Sequence, residues 1–135
     1  YKRQLMHYLF TDGGSRGNPG NAATGYLLYN EKELVEKGGD FLGQQTNNFA
    51  EYTGLASGLR LALKHGVTEL ICKLDSELVV KQLNGQYKVK HPDIKPLHAV
   101  VKELAAQFKS VKFTHVLRAE NKEADAIVNE VLDAV

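Results

Sequence analysis

Four acidic residues could together support metal-dependent chemistry, because each stands in a distinctive short context at the end of a predicted element: Asp12, Glu51, Asp75 and Asp125. Carboxylate oxygens are the hard ligands that Mg²⁺ prefers to imidazole or thiolate groups. Taken singly, each acid has an ordinary structural explanation, since strand-end acids cap turns and first-turn acids complement a helix dipole. One shared cluster accounts for all four positions at once, so the sequence predicts a site for divalent metal.

Two of the acids follow predicted strands. Asp12 lies in TDGGSRGNPG, where the apolar run Leu5 to Phe10 predicts a strand and the glycines predict a turn with positive φ angles and close approach of a ligand. Asp75 ends the apolar strand of ELICKLDSE. Because ligands in open α/β sheets bind beyond the carboxyl ends of parallel strands, both acids are expected at one sheet edge.

The other two acids lie in predicted helices. Thr46 or Asn47 can cap the helix that begins within TNNFAEY, which places Glu51 in its first turn. Asn121 can cap the terminal helix in the same way, with Asp125 in the first turn beside the apolar stripe. Helices that start at this sheet edge point their N-termini toward the same place, so we expect all four acids to converge.

The remaining pattern predicts the elements that would hold this cluster. Strands are expected near Gln4 to Asp12, Asn21 to Asn30 and Glu33 to Leu42, joined by Gly/Asn turns as in an antiparallel meander. Later elements alternate: a helix over about 48–65, a strand ending at 75, a short helix through 83, a helix with its apolar face over 97–108, a strand over 111–117 and a terminal helix. This order predicts a mixed α/β sheet flanked by helices, and 135 residues suit a single domain over 1–135.

The order Asp, Glu, Asp, Asp within TDGGSRGNPG, TNNFAEY, LDSELVV and ENKEADAIVNE resembles the type 1 ribonuclease H family over nearly the whole chain. The resemblance implies a five-stranded mixed sheet flanked by helices. It further implies an endonuclease that uses two Mg²⁺ ions, or Mn²⁺ as a substitute, to hydrolyse the RNA strand of RNA/DNA hybrids with little sequence preference. Double-stranded RNA stays open as a second substrate, because its A-like shape is read through sugars and phosphates.

The resemblance also implies roles for the four acids. Asp12 bridges both ions, and Asp75 helps to hold the ion of the attacking water. Glu51 and Asp125 hold the other ion. Two metals roughly 3.5–4 Å apart can activate water and stabilise the leaving 3′-oxygen, so the expected products carry 5′-phosphate and 3′-hydroxyl ends.

Six residues near the first two motifs are candidates for contact with substrate: Gly13, Gly14, Asn18, Thr46, Asn47 and Asn48. The glycine backbone could reach the 2′-hydroxyl, which is the chemical difference between RNA and DNA strands. The resemblance adds the three asparagines as contacts to minor-groove edges and sugars, and Thr46 as part of a pocket for a DNA-strand phosphate. Without it, Asn18 is interpreted as a turn residue and Thr46 as a helix cap.

Arg118 and His115 are alternative candidates for a residue that assists proton transfer or product release. Many family members carry a His on a mobile loop here, and His115 has a comparable spacing, although strand alternation also explains it. Arg118 resembles the Arg of members with a short loop, and we favour it in an electrostatic role, since Arg is a poor general base. Glu77 replaces the amide of many members, and its charge would weaken RNA contact or tune metal affinity.

The charge of the chain predicts modest, salt-sensitive binding to nucleic acid, because the formal net charge is only +1. Four lysines nevertheless crowd one segment: Lys81, Lys88, Lys90 and Lys95. This segment is either a solvated loop or a handle for substrate. The extra helix and basic protrusion that several family members have in this region are expected to be absent.

Cys72 lies inside a predicted strand and is interpreted as a small buried hydrophobic residue, which suits a reducing compartment. No segment approaches the roughly 20 apolar residues of a membrane span, and no signal peptide is indicated. We therefore expect a cytoplasmic monomer without membrane association. A start at Tyr1 and an apolar end at Val135 are compatible with trimming or with excision from a longer protein.

Two other functions fit the sequence less well. A hybrid-binding module without nuclease activity is disfavoured, because the complete set of carboxylates would be repulsive without metal. A nucleotide-binding protein is weaker still, because TDGGSRGNPG has neither GxGxxG spacing nor a GKS or GKT ending.

Overall fold

Alternating apolar residues in the first third of the chain form long strands, and helical spacing takes over after residue 46. The computed structural model describes residues 5–135. The strands are β1 (His7–Gly17), β2 (Gly20–Asn30), β3 (Leu34–Gly38), β4 (Phe41–Gln45), β5 (Glu69–Leu74) and β6 (Ser110–His115). The helices are α1 (Asn47–Lys64), α2 (Glu77–Leu83), α3 (Lys95–Ala105) and α4 (Lys122–Asp133), with a 3₁₀ turn at Arg118–Glu120 before α4.

The sheet is mixed, which confirms the predicted fold class. Its strand order is β3-β2-β1-β5-β6, and β4 also pairs with β2. The pairs that β2 makes are antiparallel, whereas β1–β5 and β5–β6 are parallel. The carboxyl ends of β1 and β5 therefore point to the same edge.

Helices cover both faces of the sheet. A Cβ built on Gly13 would meet Ala50 of α1, whereas one built on its neighbour Gly14 would meet Val128 of α4. The α1 side holds the main core, which includes Leu9, Leu55 and the fully buried thiol of Cys72. Full burial of each such apolar side chain stabilises the fold by about 1.5–3 kcal/mol.

The third predicted strand, Glu33 to Leu42, is wrong as a single element, because β3 and β4 divide it and residues 5–135 form a sheet of six strands. Asp40 lies at the break. Its backbone N–H donates to Thr24 Oγ1 at 3.0 Å, and its carbonyl accepts from the Thr24 N–H at 2.9 Å. These bonds replace a regular ladder at this point, so the chain pairs twice with β2.

The glycine-rich motif also differs from the prediction. Gly13 and Gly14 do not form a turn, since β1 continues five residues past Asp12 and the turn falls at Asn18–Pro19. Within this motif only Gly17 has a positive φ, of 105°. The predicted strand start at Gln4 lies outside the described residues. Among residues 5–135, none of the helices combines the length and apolar character needed to cross a membrane.

Candidate active site

Three of the four predicted acids meet at one edge of the sheet. Asp12, Glu51 and Asp75 each offer one carboxylate oxygen, and these three oxygens lie within 4.8 Å of one another. The pairing of β1 with β5 ends at Phe10 and Lys73, so Asp12 lies beyond the paired region and Asp75 directly follows β5. Glu51 reaches the same place from α1.

Close backbone packing brings Glu51 to this edge. A Cβ on Gly13 would lie 2.2 Å from the carbonyl carbon of Ala50 and 2.4 Å from the amide nitrogen of Glu51. Only glycine allows this approach of α1 to β1. Thr46 caps the helix, as one of the two predicted candidates, by accepting from the Phe49 N–H at 3.2 Å.

The predicted helix position of Glu51 is wrong, and the backbone donor of Gly13 has a partner within the protein. Glu51 is the fifth helical residue and lies past the first turn, in which α1 has no acidic residue, because the helix already begins at Asn47. The backbone N–H of Gly13 donates to Asp12 Oδ1 at 2.9 Å. That donor is therefore engaged within the protein, and the structure gives Gly13 a packing role at this site.

Burial and mutual repulsion raise the pKa values of two of the acids. The pKa of Asp12 rises to about 7, chiefly because the carboxyl is buried and then because Asp75 lies nearby, with a smaller contribution from Asp125. The pKa of Glu51 rises well above its ordinary value, again through burial first and then through Asp12 and Asp75. Without a cation, these groups cannot all ionise at low cost near neutral pH.

The site fits a hard divalent cation. Glu51 Oε2 is buried and no N–H group donates to it, and the hydrogen bond that the Glu51 carboxyl shares with Asp12 requires a proton on one of the two acids. A buried carboxylate oxygen without a donor is costly unless a cation accompanies it. The donor set consists of carboxylate oxygens alone, which suits Mg²⁺ or Mn²⁺ better than softer metals.

Asp125 stands apart from the group of three. It lies in the first turn of α4, as predicted, and its charge contributes to the raised pKa of Asp12. Among the described residues, the compact ligand group does not include it. The structure therefore brings three of the predicted acids into one cluster and the fourth to its border.

Asn121 has a role that the sequence pattern did not predict. It occupies the N-cap position of α4, but its side chain makes no capping hydrogen bond. Instead, its Nδ2 donates to the backbone oxygen of Thr11 at 2.9 Å, and the residue is 1% exposed. This bond joins the start of α4 to β1 beside Asp12. Its partners are 110 positions apart, so no local signal indicates it.

Arg118 and His115 face different acids. The positive charge of Arg118 partly offsets the raised pKa values of Asp12 and Glu51. His115 is exposed at the end of β6, and its influence falls on Glu77. The pKa of Glu77 is lowered chiefly by its hydrogen bond with Lys81, at 2.7 Å, and His115 is the smallest of the contributions that lower it.

The polar candidates for substrate contact form one exposed surface next to the acids. Asn18 Oδ1 accepts from the Asn47 backbone N–H at 3.1 Å, and Asn47 Oδ1 accepts from the Ser15 N–H at 2.8 Å. These bonds fix the turn after β1 against the start of α1. Within residues 5–135, the side-chain NH₂ groups of Asn18 and Asn47 make no hydrogen bond, so both are available as donors. Asn48 is exposed beside them.

Two of the four lysines of the lysine-rich segment, Lys88 and Lys90, lie in a loop, whereas Lys81 belongs to α2 and Lys95 begins α3. Between the end of α2 at Leu83 and the start of α3 at Lys95, the described chain contains no further helix. Lys81 binds Glu77 and lies 5.1 Å from the ring centre of Tyr87. The extra helix of longer family members is thus absent from residues 84–94.

Comparisons with known proteins agree with this geometry. A family profile described as reverse transcriptase-like matches residues 10–131. Ribonuclease HI of Halobacterium salinarum is 42% identical over 127 residues, covering 93% of this chain and 64% of that protein. Ribonuclease HI of Neisseria meningitidis is 36% identical over 140 residues, covering 90% of this chain and 92% of that protein. Bifunctional protein Rv2228c of Mycobacterium tuberculosis is 43% identical over 125 residues, which are 91% of this chain and 34% of that relative.

Solved structures resemble the fold closely. The crystal structure of RNase H1 from Halobacterium salinarum has a TM-score of 0.93 at 40% identity, covering 96% of this chain and 99% of that one. LC11-RNase H1 in complex with an RNA/DNA hybrid has a TM-score of 0.90 at 34% identity, covering 95% of this chain and 97% of that one.

Proposed function

This chain belongs to the type 1 ribonuclease H family, and on that premise we propose that it is a metal-dependent endonuclease that hydrolyses the RNA strand of RNA/DNA hybrids. The products carry 5′-phosphate and 3′-hydroxyl ends. Sequence preference is low, because the candidate contacts suit sugars, phosphates and the degenerate minor-groove edges of bases. The hybrid complex of the similar LC11-RNase H1 supports this substrate class.

One observation carries the proposal. One carboxylate oxygen each of Asp12, Glu51 and Asp75 lies within 4.8 Å of the other two, and the buried Glu51 Oε2 receives no N–H donor, because Glu51 interacts instead with the Asp12 carboxyl. A structural cluster of acids would be expected to have its own basic partners. The arrangement instead suits acids that an external dication completes.

Asp12, Glu51, Asp75 and Asp125 would hold two Mg²⁺ ions; by the family resemblance, Asp12 would serve both ions, Asp75 would help to hold the ion that activates water, and Glu51 and Asp125 would hold the other ion. When bound, the ions neutralise the phosphodiester, generate hydroxide and stabilise the leaving oxygen. The residues of the chain bind and orient the reacting groups. Arg118 adds a fixed positive charge beside the acids, which favours an approaching phosphate or a departing product.

Selection of the RNA strand would depend on the exposed polar surface beside the acids. The free side-chain donors of Asn18 and Asn47, with Asn48, face the solvent where a 2′-hydroxyl or sugar oxygen can accept. The Gly14 backbone is a further candidate. Thr46 remains a candidate for a DNA-strand phosphate, although its Oγ1 also caps α1.

We further propose that residues 1–135 act as one cytoplasmic, monomeric domain that uses Mg²⁺, with Mn²⁺ as a substitute. The buried free thiol of Cys72 supports a reducing compartment. The chain spans only about a third of its mycobacterial relative and 64% of its halobacterial relative, so the activity of any longer protein is part of the proposal. Light scattering after gel filtration would test the monomer.

The decisive experiment is a time course on strand-labelled RNA/DNA hybrid, RNA duplex and DNA duplex, each with Mg²⁺, Mn²⁺ or EDTA. The expected result is cleavage of the RNA strand of the hybrid that EDTA abolishes, with Asp75→Asn as the inactive control. Slower cleavage of the RNA duplex would extend the substrate class. Metal-dependent thermal stabilisation without cleavage of any substrate would instead identify a binding module.

A further inference from the structure

The backbone and the side chain of Asp125 are positioned by different contacts. Helix α4 approaches β2 so closely that a Cβ on Gly25 would lie 2.4 Å from the carbonyl oxygen of Ala124. On the same side, Val128 packs against Ala23. These contacts fix the helix backbone, but an aspartate side chain still has several staggered rotamers open to it. Another group must select the orientation of this carboxylate.

Asn129 lies one helical turn after Asp125 and is its neighbour on the helix surface. Its Nδ2 donates to the backbone oxygen of Asp125 at 3.2 Å, and the same nitrogen lies 3.5 Å from Asp125 Oδ2. The second contact is long, so a modest rotation of the carboxylate would shorten it. An amide donor therefore stands beside the one predicted ligand that lies outside the compact group.

Arg16 determines which end of the Asn129 amide faces Asp125. Its Nη2 donates to Asn129 Oδ1 at 3.3 Å and pairs with Asp133 Oδ1 at 2.6 Å. A guanidinium group can only donate hydrogen bonds. It thus holds the amide oxygen on the β1 side and leaves the NH₂ group directed at Asp125. Asp133, on the last turn of α4, anchors Arg16 in this position.

We propose that Asn129 is a positioning residue that holds the Asp125 carboxylate ready to bind a divalent cation, and that Arg16 orients the Asn129 amide. This inference rests on the proposed function. A donated hydrogen bond stabilises an ionised carboxylate and limits its orientation. Loss of such an outer partner typically weakens metal affinity by about 10- to 100-fold.

The test compares Asn129→Ala, Arg16→Ala and the control Glu130→Ala, which changes the next exposed residue of α4. Cleavage of hybrid is measured across Mg²⁺ concentrations, and Mn²⁺ binding is measured by calorimetry without nucleic acid. Asn129→Ala should raise the half-activating Mg²⁺ concentration about 10-fold or more. Its KM for hybrid at saturating Mg²⁺ and its melting temperature should match those of the wild type. Arg16→Ala should give a smaller shift, because the amide can then turn either way.

Two results would overturn the inference while leaving the proposed function intact. One is a shift for Asn129→Ala no larger than that for Glu130→Ala. The other is an equal loss of rate at every Mg²⁺ concentration, which would indicate a role other than holding a metal ligand. If the wild type neither binds Mn²⁺ nor cleaves hybrid, the proposed function fails and the inference fails with it.

Discussion

Acids in two regions of this molecule have the same functional group and opposite environments. At the sheet edge, burial and neighbouring carboxylates raise the pKa values of Asp12 and Glu51. On the surface, hydrogen bonds from His65 and Lys81 lower the pKa values of Glu36 and Glu77, respectively. The fold supplies cations for these surface acids and leaves the clustered acids poorly compensated. This difference is expected of a binding site for an external cation, in which the clustered acids destabilise the protein when no cation is bound.

Of the variants considered, Asp12→Asn should have the largest effect on the acid cluster. It removes the central charge of the cluster, so we expect cleavage of hybrid to fall by about 10³-fold or more. In EDTA the same variant should melt at a higher temperature than the wild type, because repulsion with Asp75 and Glu51 is relieved. Cleavage assays and thermal unfolding measure the two effects. Near-normal cleavage would show that the ligand assignment is wrong.

Gly13→Ala tests whether backbone packing gathers the acids. The added methyl would overlap the backbone at Ala50 and Glu51, so α1 must move and the free energy of unfolding should fall by about 3 kcal/mol. Mn²⁺ affinity should fall as well, because Glu51 moves with the helix. Gly14→Ala is the matched control, since its Cβ would meet only the Val128 methyl at an ordinary 3.4 Å. Equal stability losses in both variants would refute the packing argument.

The pH dependence of the free energy of unfolding should also distinguish the buried acids from the surface acids. The folded-state pKa of Asp12 is about 7, above its ordinary value of 3.8, so its contribution to stability is present below pH 4 and is lost as the pH rises through 7. In EDTA the free energy of unfolding should fall by about 2 kcal/mol from this group between pH 5.5 and 8. Denaturant unfolding at both pH values measures this change, and Asp12→Asn should lack it. Excess Mg²⁺ should abolish the decline, because metal binds the deprotonated acids. A wild-type decline no larger than that of Asp12→Asn, which keeps the contribution of Glu51, would count against the raised pKa of Asp12.

Local patterns were enough to predict much of this molecule. The bounds of β2 and α1, the Thr46 cap and the position of Asp125 in a first turn follow from spacing and capping residues within a few positions of each. The convergence of Asp12 and Asp75 follows from a general property of parallel strands. These features depend on short-range chemistry, which a single sequence displays directly.

Contacts between distant segments could not be predicted in this way. The Asn121 to Thr11 bond and the amide contact of Arg16 with Asn129 join opposite ends of the chain. The break at Asp40 depends on Thr24 in another strand. The sequence predicts contact of the Gly13 backbone with substrate, but it gives no local sign that Gly13 also packs directly against Ala50 and Glu51 of α1.

Arg118→Ala should have an intermediate effect, because Arg118 supplies a positive charge that partly compensates the clustered acids. Loss of its charge should reduce kcat by about 10-fold and move the rise of activity with pH to higher pH, since Arg118 lowers the pKa values of Asp12 and Glu51. His115→Ala, measured in parallel pH–rate profiles, should leave both unchanged. A larger loss in the His115 variant would reverse this assignment.

Glu77→Gln should have the smallest effect and tests whether Glu77 behaves as a surface acid. Glu77 lies two residues after Asp75, but Lys81 at 2.7 Å already offsets its charge. We therefore expect the half-activating Mg²⁺ concentration to stay within about twofold of wild type, and hybrid affinity at low salt to rise by about twofold as one repulsive charge is removed. Fluorescence anisotropy with labelled hybrid and a Mg²⁺ activation curve measure the two quantities. A tenfold change in the half-activating Mg²⁺ concentration would mean that Glu77 acts with the clustered acids. Its ion pair with Lys81 would then not separate it from the metal site.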